Sequence, residues 1–306
     1  MREKVLPVLT VVLGILALWY LAAIPMNVRE ALTAAERAGA VVEGGSATER
    51  QQLPALRLVL LNPALALEGA WTQDRPRLPA PHQVAAELWS SVAGQPPGSN
   101  RSLLRHAGIT LGATLAGFAI GSLAGILLAV GIVHNRAMDL SVMPWAIISQ
   151  TIPIVALAPM IVVVLNSVGV QGLLPKAVIS AYLSFFPVAV GMVKGLRTPD
   201  PMQIDLMRTW NASRAQIFWL LRLPASVPYL FASLKVAVAA ALVGTIVGEL
   251  PIQRGGLGAR MLAGSYYGQT TQIWAALVMA AVLAAALVWF MGFLERRTLR
   301  AMGVPA

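Results

Sequence analysis

Long runs without a charged residue constrain this chain more than any other feature. A membrane-spanning helix requires about 20 mostly apolar residues, and several stretches meet that length with no Asp, Glu, Lys or Arg. The uncharged stretches are residues 107–133, 140–175, 177–193 and 261–294, and residues 225–248 are interrupted only by Lys235. Only 12% of the 306 residues are charged, against about 25% in soluble domains. The sequence therefore predicts an all-α integral membrane protein.

About six transmembrane helices account for these runs. The first is predicted over residues 5–24. A cleaved signal peptide would also fit there, with Ala22 and Ala23 as small residues, but signal h-regions usually span about 7–15 residues, so length favours a retained helix. The run 140–175 is predicted to contain one span and an uncharged outer turn near residues 166–172, and the last span to begin near Thr271.

The connections between the spans predict the orientation. With the N-terminus inside, the inner connections carry an excess of Lys and Arg over Asp and Glu, as the positive-inside rule requires. Lys176 and Arg254 fall in short outer connections. The formal net charge of +10 is thus attributed to membrane topology, and nucleic-acid binding is excluded. The absence of cysteine excludes disulfides, thiolate nucleophiles and cysteine metal sites.

Residues 26–105 differ in composition from the uncharged runs, because charged residues, Pro and Gly are frequent there. They are predicted to form an extracytoplasmic segment with short helices. A surface helix is expected over 28–42, ended by Gly44 and Gly45. Residues 53–70 are expected to be interfacial or re-entrant because Pro54 and Pro63 interrupt them. Another short helix is expected near 82–92.

The loop between the fourth and fifth spans, residues 198–228, carries the most information: TPDPMQIDLMRTWNASRAQIFWLLRLPASVP. A short helix is predicted from Asp205 to Trp210, with the acid in its first turn. Asn211 then supplies a break, because Asn tolerates the left-handed conformation. Ser213 is expected to cap a second helix ending at Leu223-Pro224. On these features alone, an amphipathic connector on the membrane surface is the simplest interpretation.

The same residues resemble the cytoplasmic loop of permease subunits of binding-protein-dependent ABC importers. That pattern is Glu-Ala-Ala, three residues, Gly, nine residues, Ile, one residue, Leu-Pro. Its spacing is met here by Asp205, Leu206 and Met207, then Asn211, Leu221, and finally Leu223 with Pro224. In that family the loop docks on an ATPase, so the resemblance implies a coupling set that also includes Trp210 and Ala212. The expected apolar anchors are Leu206, Met207, Trp210, Ile217 and Phe218.

Further stretches resemble the nitrate, sulfonate, taurine and thiamine-precursor permease group: residues 78–81, 234–237, 248–250 and 256–258. The resemblance implies a type I ABC importer-like permease with both termini cytoplasmic. It divides the chain into a first transmembrane helix over 1–25, the extracytoplasmic segment over 26–105, and a five-helix core over 106–298 with a coupling loop at 198–224.

The resemblance also implies the function. The chain would be the transmembrane subunit of an ATP-driven importer in the bacterial cytoplasmic (inner) membrane, forming the pathway for a small organic or anionic solute by alternating access. Its partners would be a P-loop ATP-binding subunit, an extracytoplasmic binding protein and a second permease copy. No catalytic residue, metal or cofactor is expected on this chain, since no lysine follows a glycine as a P-loop requires. ATP and Mg²⁺ would bind the partner.

Polar residues near helix-breaking prolines are candidates for the pathway: Ser149, Gln150, Thr151, Tyr182, Ser184 and Glu249. Hydrogen bonding between helices is an equally good explanation for them. Glu249 could also cap its helix or pair with Arg254. Lys235 lies near the inner surface, where snorkelling explains it. Gly108, Gly112, Gly117, Gly121 and Gly125 favour close helix packing.

Two other functional classes fit the sequence less well. An ion-coupled carrier acting without an ATPase would need buried ionisable relays, and the spans offer only Lys235 and the terminal Glu249. A membrane-embedded enzyme would need a nucleophile or metal cluster, and the sequence contains no HExxH or GxSxG motif. Among importer solutes, small anions such as sulfonates and a pyrimidine vitamin precursor stay open.

Overall fold

The computed structural model describes residues 2–252 and 255–303, with side chains described from Leu6 onward. All regular structure in these ranges is helical. The helices are α1 Arg2–Arg37, α2 Ala47–Gln52, α3 Ala55–Leu61, α4 Pro63–Thr72, α5 Pro81–Val92, α6 Leu103–His134, α7 Arg136–Ser149, α8 Ile154–Ser167, α9 Leu173–Leu196, α10 Pro201–Thr209, α11 Arg214–Ile217, α12 Leu223–Ile252, α13 Leu257–Tyr266 and α14 Thr270–Ala301. A π-helix, Phe218–Arg222, joins α11 to α12.

Five helical stretches in the described part of the chain are long and apolar enough to cross a membrane. They are Leu6–Arg37 of α1, α6, α9, the uninterrupted stretch Arg214–Ile252, and α14. A sixth crossing is broken, because α7 and α8 meet at an angle of 100°. The all-α, roughly six-span prediction is confirmed, but the third span is not the single helix expected. Pro153 cannot donate a backbone hydrogen bond, and the chain bends just before it.

The chain divides into two compact units. The first comprises the residues up to Leu103 together with Arg260–Val278, and the second comprises Leu104–Ala259 and the residues from Met279 onward. In the first unit, α1 packs on α3 and α4 around a core of Ile24, Val28, Leu32, Leu58, Ala66 and Ala70. The predicted surface helix over 28–42 is therefore wrong. Val28, Ala31 and Leu32 continue one buried face of α1, so the helix runs unbroken to Arg37.

A buried asparagine organises the first unit where α1 leaves the apolar run. The side chain of Asn27 is fully buried. Its amide nitrogen donates to the carbonyl oxygens of Ala70, at 3.0 Å, and Leu78, at 2.8 Å, and its amide oxygen accepts from the Leu78 N–H at 3.0 Å. Gln73 adds a bond to the Asn27 carbonyl. One residue thus ties α1 to the end of α4 and to the extended segment before α5.

Replacing Asn27 by alanine is expected to loosen this segment, because three buried polar groups lose their partner at a cost of about 2 kcal/mol. Local opening around Arg75 and Arg77 should then become roughly 30-fold more populated. Limited trypsin digestion of the purified chain measures this as faster cleavage after Arg77, because trypsin does not cleave the bond between Arg75 and Pro76. The control is Gln52→Ala, which removes an amide from an exposed position. Equal cleavage rates in both variants would contradict the assigned role of Asn27.

In the second unit, α9 packs along α12, and α8 packs on both helices. Small residues allow the close approach of α6 to α9. A Cβ atom on Gly117 would lie 2.3 Å from the Ser180 Cβ, and one on Gly121 would lie 2.1 Å from the Ser184 Oγ. Gly125 likewise approaches the Phe185 carbonyl. The packing predicted for the glycine series is therefore confirmed in its C-terminal half. A Cβ on Gly108 would meet no atom within 4 Å.

Lys235, near the inner end of α12, forms an ion pair with Glu295 of α14. Snorkelling to the surface was the expectation, and the structure shows a half-buried pair instead. The two helices also share an apolar contact of Val238 with Leu287 and Met291. The ion pair of Lys235 thus links α12 to α14.

Candidate functional site

The loop that carries the coupling pattern begins with α10. Asp200 is its N-cap, with its Oδ1 accepting from the Met202 N–H at 2.8 Å. Because the helix begins at Pro201, Asp205 lies in the middle of the helix and not in its first turn, which corrects the prediction. The Asp205 carboxylate pairs instead with Arg208, one turn later, at 3.0 Å. Both side chains are about two-thirds exposed, so this pair contributes little to stability.

Asn211 ends α10 in the predicted way. Its φ of 56° makes it the only non-glycine residue with positive φ among the described residues, and the Ala212 N–H closes the turn on the Met207 carbonyl. Ser213 then caps α11 as expected, in a capping box with Gln216. Asn at the family's Gly position thus keeps the left-handed turn.

The second half of the loop differs from the prediction. Leu223-Pro224 does not end a helix, since α11 passes through the π-helix directly into α12. Pro224 is the second residue after the π-helix and has no N–H to donate, so the continuous helix lacks one backbone hydrogen bond at this position. The side chains of Leu221, Leu223 and Pro224 are partly buried, and Leu223 packs on the cluster around Met192 and Leu196. The Leu-Pro end of the pattern therefore packs against α9 and is not part of the exposed loop surface.

Fewer of the predicted apolar anchors are exposed than the sequence suggested. Met202, Leu206 and Trp210 are exposed, with 78%, 52% and 77% of their surface accessible. Ile217 is buried, and Phe218 packs against the cluster of α6 and α9 residues. These two residues anchor the loop to its own chain. The face free to contact another protein is thus α10 with Trp210.

The pathway candidates lie in three places. Ser149, Gln150 and Thr151 form the break between α7 and α8, and the Tyr182 hydroxyl of α9 donates to the Ser149 carbonyl there. The structure thus brings four of the six candidates together. Ser184 is fully buried where α9 meets Gly121, and its hydroxyl donates to the Ala181 carbonyl at 3.2 Å.

Glu249, the sixth candidate, is the centre of a buried polar cluster. Its side chain is fully buried, and its carboxylate accepts from the Thr110 hydroxyl at 2.9 Å and from the Gly258 N–H at 2.9 Å. The Lys176 Nζ lies 3.6 Å from Oε1 and donates to the Gly255 carbonyl at 2.8 Å. The predicted alternative partner, Arg254, lies outside the described residues.

Sequence reasoning missed two members of this cluster. Lys176 was assigned to an outer connection, but it stands in the first turn of α9 and is 97% buried. Thr110 was not singled out. A signal was available in the sequence, since Lys176 and Glu249 are lone charged residues at the outer ends of two otherwise uncharged spans. Burying either charge without a partner would be unfavourable, so the two could have been predicted to pair.

The fold is that of a multi-span membrane protein with a short exposed helix, α10, between two of its spans. Residues 121–300 match the model of a family described as "Binding-protein-dependent transport system inner membrane component". The chain belongs to this family of ABC importer permeases, and it is the transmembrane subunit of an ATP-driven importer.

Several relatives are similar over half to about three quarters of this chain. The riboflavin transport system permease protein RibX of Chloroflexus aurantiacus is 30% identical over 73% of this chain and 80% of its own length. The formylaminopyrimidine transport permease protein ThiX of Halalkalibacterium halodurans is 32% identical over 50% of this chain and 60% of its own. The taurine permease TauC of Escherichia coli is 26% identical over 72% and 78%.

A solved structure shows the same fold. It is an inward-facing MetNI methionine ABC transporter, which superposes with a TM-score of 0.56 at 20% identity, over 65% of this chain and 95% of the other. The expected type I importer fold is thereby confirmed.

Proposed function

We propose that α10 with Trp210 is the surface through which a separate ATPase drives this permease. The observation that carries the proposal is the exposure of Leu206 and Trp210 on and just after a short helix in the loop between α9 and α12. Exposed aromatic and aliphatic side chains on one rigid element are typical anchors of a protein interface. The departures from the family pattern keep this geometry, since Asn211 adopts the required left-handed turn.

The importer is proposed to consist of two copies of this chain, two ATP-binding subunits inside and a binding protein outside, in a bacterial cytoplasmic membrane. ATP and Mg²⁺ would bind the ATPase, and this chain would carry no catalysis. The names of the relatives support a small organic or anionic solute, because they include riboflavin, formylaminopyrimidine and taurine permeases. ATP-driven closure of the ATPase pair would alternate access.

The break between α7 and α8 is proposed to line the pathway. Irregular backbone in a membrane is stable where it is buried in protein or borders a water-filled cavity. Gln150 and Thr151 supply polar groups at this break, and Tyr182 fixes its position through Ser149. Ser184 and Glu249 are buried within the chain. They would stabilise the packing of the helices around the pathway without facing it.

Replacing Leu206 and Trp210 together by alanine is expected to abolish coupling without unfolding the permease, because both side chains are exposed. Loss of two interface anchors weakens binding by roughly 30-fold or more. The measurement is recovery of the P-loop ATPase with the tagged permease from its native membrane, together with ATP-dependent solute uptake in liposomes. Both readouts should fall together.

The matched control is Trp289→Ala, which removes another exposed tryptophan, 66% accessible, from α14. It should leave ATPase recovery unchanged. A double variant that retains the ATPase at the wild-type level would refute α10 as the docking surface. Transport by the wild-type chain without ATP would instead support an ion-coupled carrier.

A further inference from the structure

Basic side chains line a cavity behind the α10–α11 loop, within the second unit. The cavity holds about 390 Å³, and His134, Arg208, Arg214 and Arg222 are among its lining residues. The other lining residues are Val133, Ile204, Ala212 and Ile217. No acidic side chain is among those the described chain contributes to this cavity. We refer to it as the arginine pocket.

The charges of the arginine pocket are incompletely paired. Arg208 pairs with Asp205 on the exposed side of α10. Neither Arg214 nor Arg222 has an ion-pair partner among the described residues. The Nε of Arg222 is buried and makes no hydrogen bond to the described chain. His134 lies with its Nδ1 2.8 Å from the Val130 carbonyl oxygen and its ring edge-on to Phe218.

Topology alone does not account for this arrangement. The positive-inside rule favours arginines in inner connections, but it requires only that they be solvated or near lipid headgroups. A buried guanidinium nitrogen without a partner is unfavourable, by an amount comparable to the loss of a hydrogen bond. An anion with several acceptor oxygens would satisfy Arg222 and Arg214 at once, since the planar guanidinium matches phosphate geometry.

The apolar residues beside the pocket indicate where such an anion would come from. Trp219 and Leu220 precede Arg222 on the π-helix, and they are 63% and 69% exposed. Tryptophan is enriched at the boundary between headgroups and acyl chains, and basic residues at that depth attract anionic lipids. We propose that the arginine pocket binds a phosphate group, supplied by the headgroup of an anionic phospholipid whose acyl chains cover Trp219 and Leu220.

The arginine pocket shares Arg208 and Ala212 with the loop proposed to contact the ATPase, so the variants change only Arg214 and Arg222. Lipid binding is tested on the purified full-length permease alone, and recovery of the ATPase from the native membrane is measured separately. Native mass spectrometry and thermal unfolding are measured with phosphatidylglycerol, with zwitterionic phosphatidylcholine, and with inorganic phosphate. The wild type should bind phosphatidylglycerol preferentially. The double variant Arg214→Gln with Arg222→Gln should weaken that binding by roughly tenfold. The corresponding pair of lysine substitutions should restore it partly, because lysine keeps the charge without the bidentate geometry.

The matched control removes two arginines from the predicted inner end of α14, Arg297→Gln with Arg300→Gln. It should keep the wild-type preference for phosphatidylglycerol. If inorganic phosphate gives the same stabilisation and displaces the lipid, the site is a phosphate site supplied from solution. The proposal is overturned if the pocket variant binds phosphatidylglycerol as the wild type does, or if the control loses as much. A pocket variant that loses only the ATPase would also overturn it, and would assign the arginines to an acidic partner surface.

Discussion

Replacing Glu249 by leucine is expected to destabilise this permease by about 3–5 kcal/mol, because the change leaves the ammonium of Lys176 buried without a countercharge. The Thr110 hydroxyl and the Gly258 N–H would lose their acceptor as well. The loss of stability would be greatest around residues 255–258, because the cluster links this segment to α6, α9 and α12. The measurement is unfolding of the purified chain in mixed micelles, followed by tryptophan fluorescence.

A double-mutant cycle separates the charge from the hydrogen bonds. Glu249→Gln keeps an acceptor for Thr110 and Gly258 but removes the charge. It should therefore lower the free energy of unfolding, but by less than Glu249→Leu does. Adding Lys176→Leu to Glu249→Leu should recover part of the loss, because an ion pair replaced on both sides by apolar residues is often close to neutral. Strictly additive costs for the two leucine substitutions would show that Lys176 and Glu249 do not interact across their 3.6 Å separation.

A leucine at Gly121 is the second substitution expected to have a large effect. A Cβ atom there would lie 2.1 Å from the Ser184 Oγ and 2.7 Å from the Ala181 carbonyl oxygen. Because one of these atoms belongs to the backbone, α6 must move away from α9 to admit any side chain. Overpacking of this kind costs about 3 kcal/mol or more, and Gly121→Ala should cost less than Gly121→Leu.

Gly108→Leu is the matched control on the same helix. A Cβ atom there would meet no described atom within 4 Å, the position is exposed, and leucine has a higher helix propensity than glycine. The same unfolding measurement should therefore show no loss of stability for Gly108→Leu. Equal losses at both glycines would mean that α6 does not pack on α9 through Gly121.

The parts of this structure that follow from local chemistry were predictable from the sequence. The uncharged runs predicted α6, α9, α12 and α14 nearly to their ends, because a membrane leaves the backbone few alternatives to a helix. Asn211 predicted its own left-handed turn, and Ser213 predicted its cap. Each of these predictions depends on a few neighbouring residues.

The errors occurred where distant residues decide the structure. Charged residues suggested that α1 stops near Ile24, but the contact of Val28 and Leu32 with α3 and α4 carries it to Arg37. Lys176 has no local sign of burial, because its partner Glu249 is 73 residues away in sequence. Ile217 and Phe218 are apolar like Leu206, but Ile217 is buried and Phe218 packs on α6 and α9, whereas Leu206 is exposed, and the local sequence does not distinguish these cases.

The loop matches the family pattern in spacing, but its shape was not predicted. The Leu-Pro pair suggested a helix end, whereas the chain passes through a π-helix into α12 without a break. Single π-turns of this kind are often found at functional positions.

The continuity of α11, the π-helix and α12 has a mechanical consequence. Arg214–Ile252 is one rod of 39 residues, about 58 Å long at the rise of an α-helix. Its inner end adjoins the surface proposed to meet the ATPase, and its outer end holds Glu249. No non-helical residue separates the two ends of this stretch, so a tilt of the whole stretch by about 5° displaces one end relative to the other by roughly 5 Å at this length. A movement of α10 would therefore be transmitted along this helical stretch to the region of Glu249.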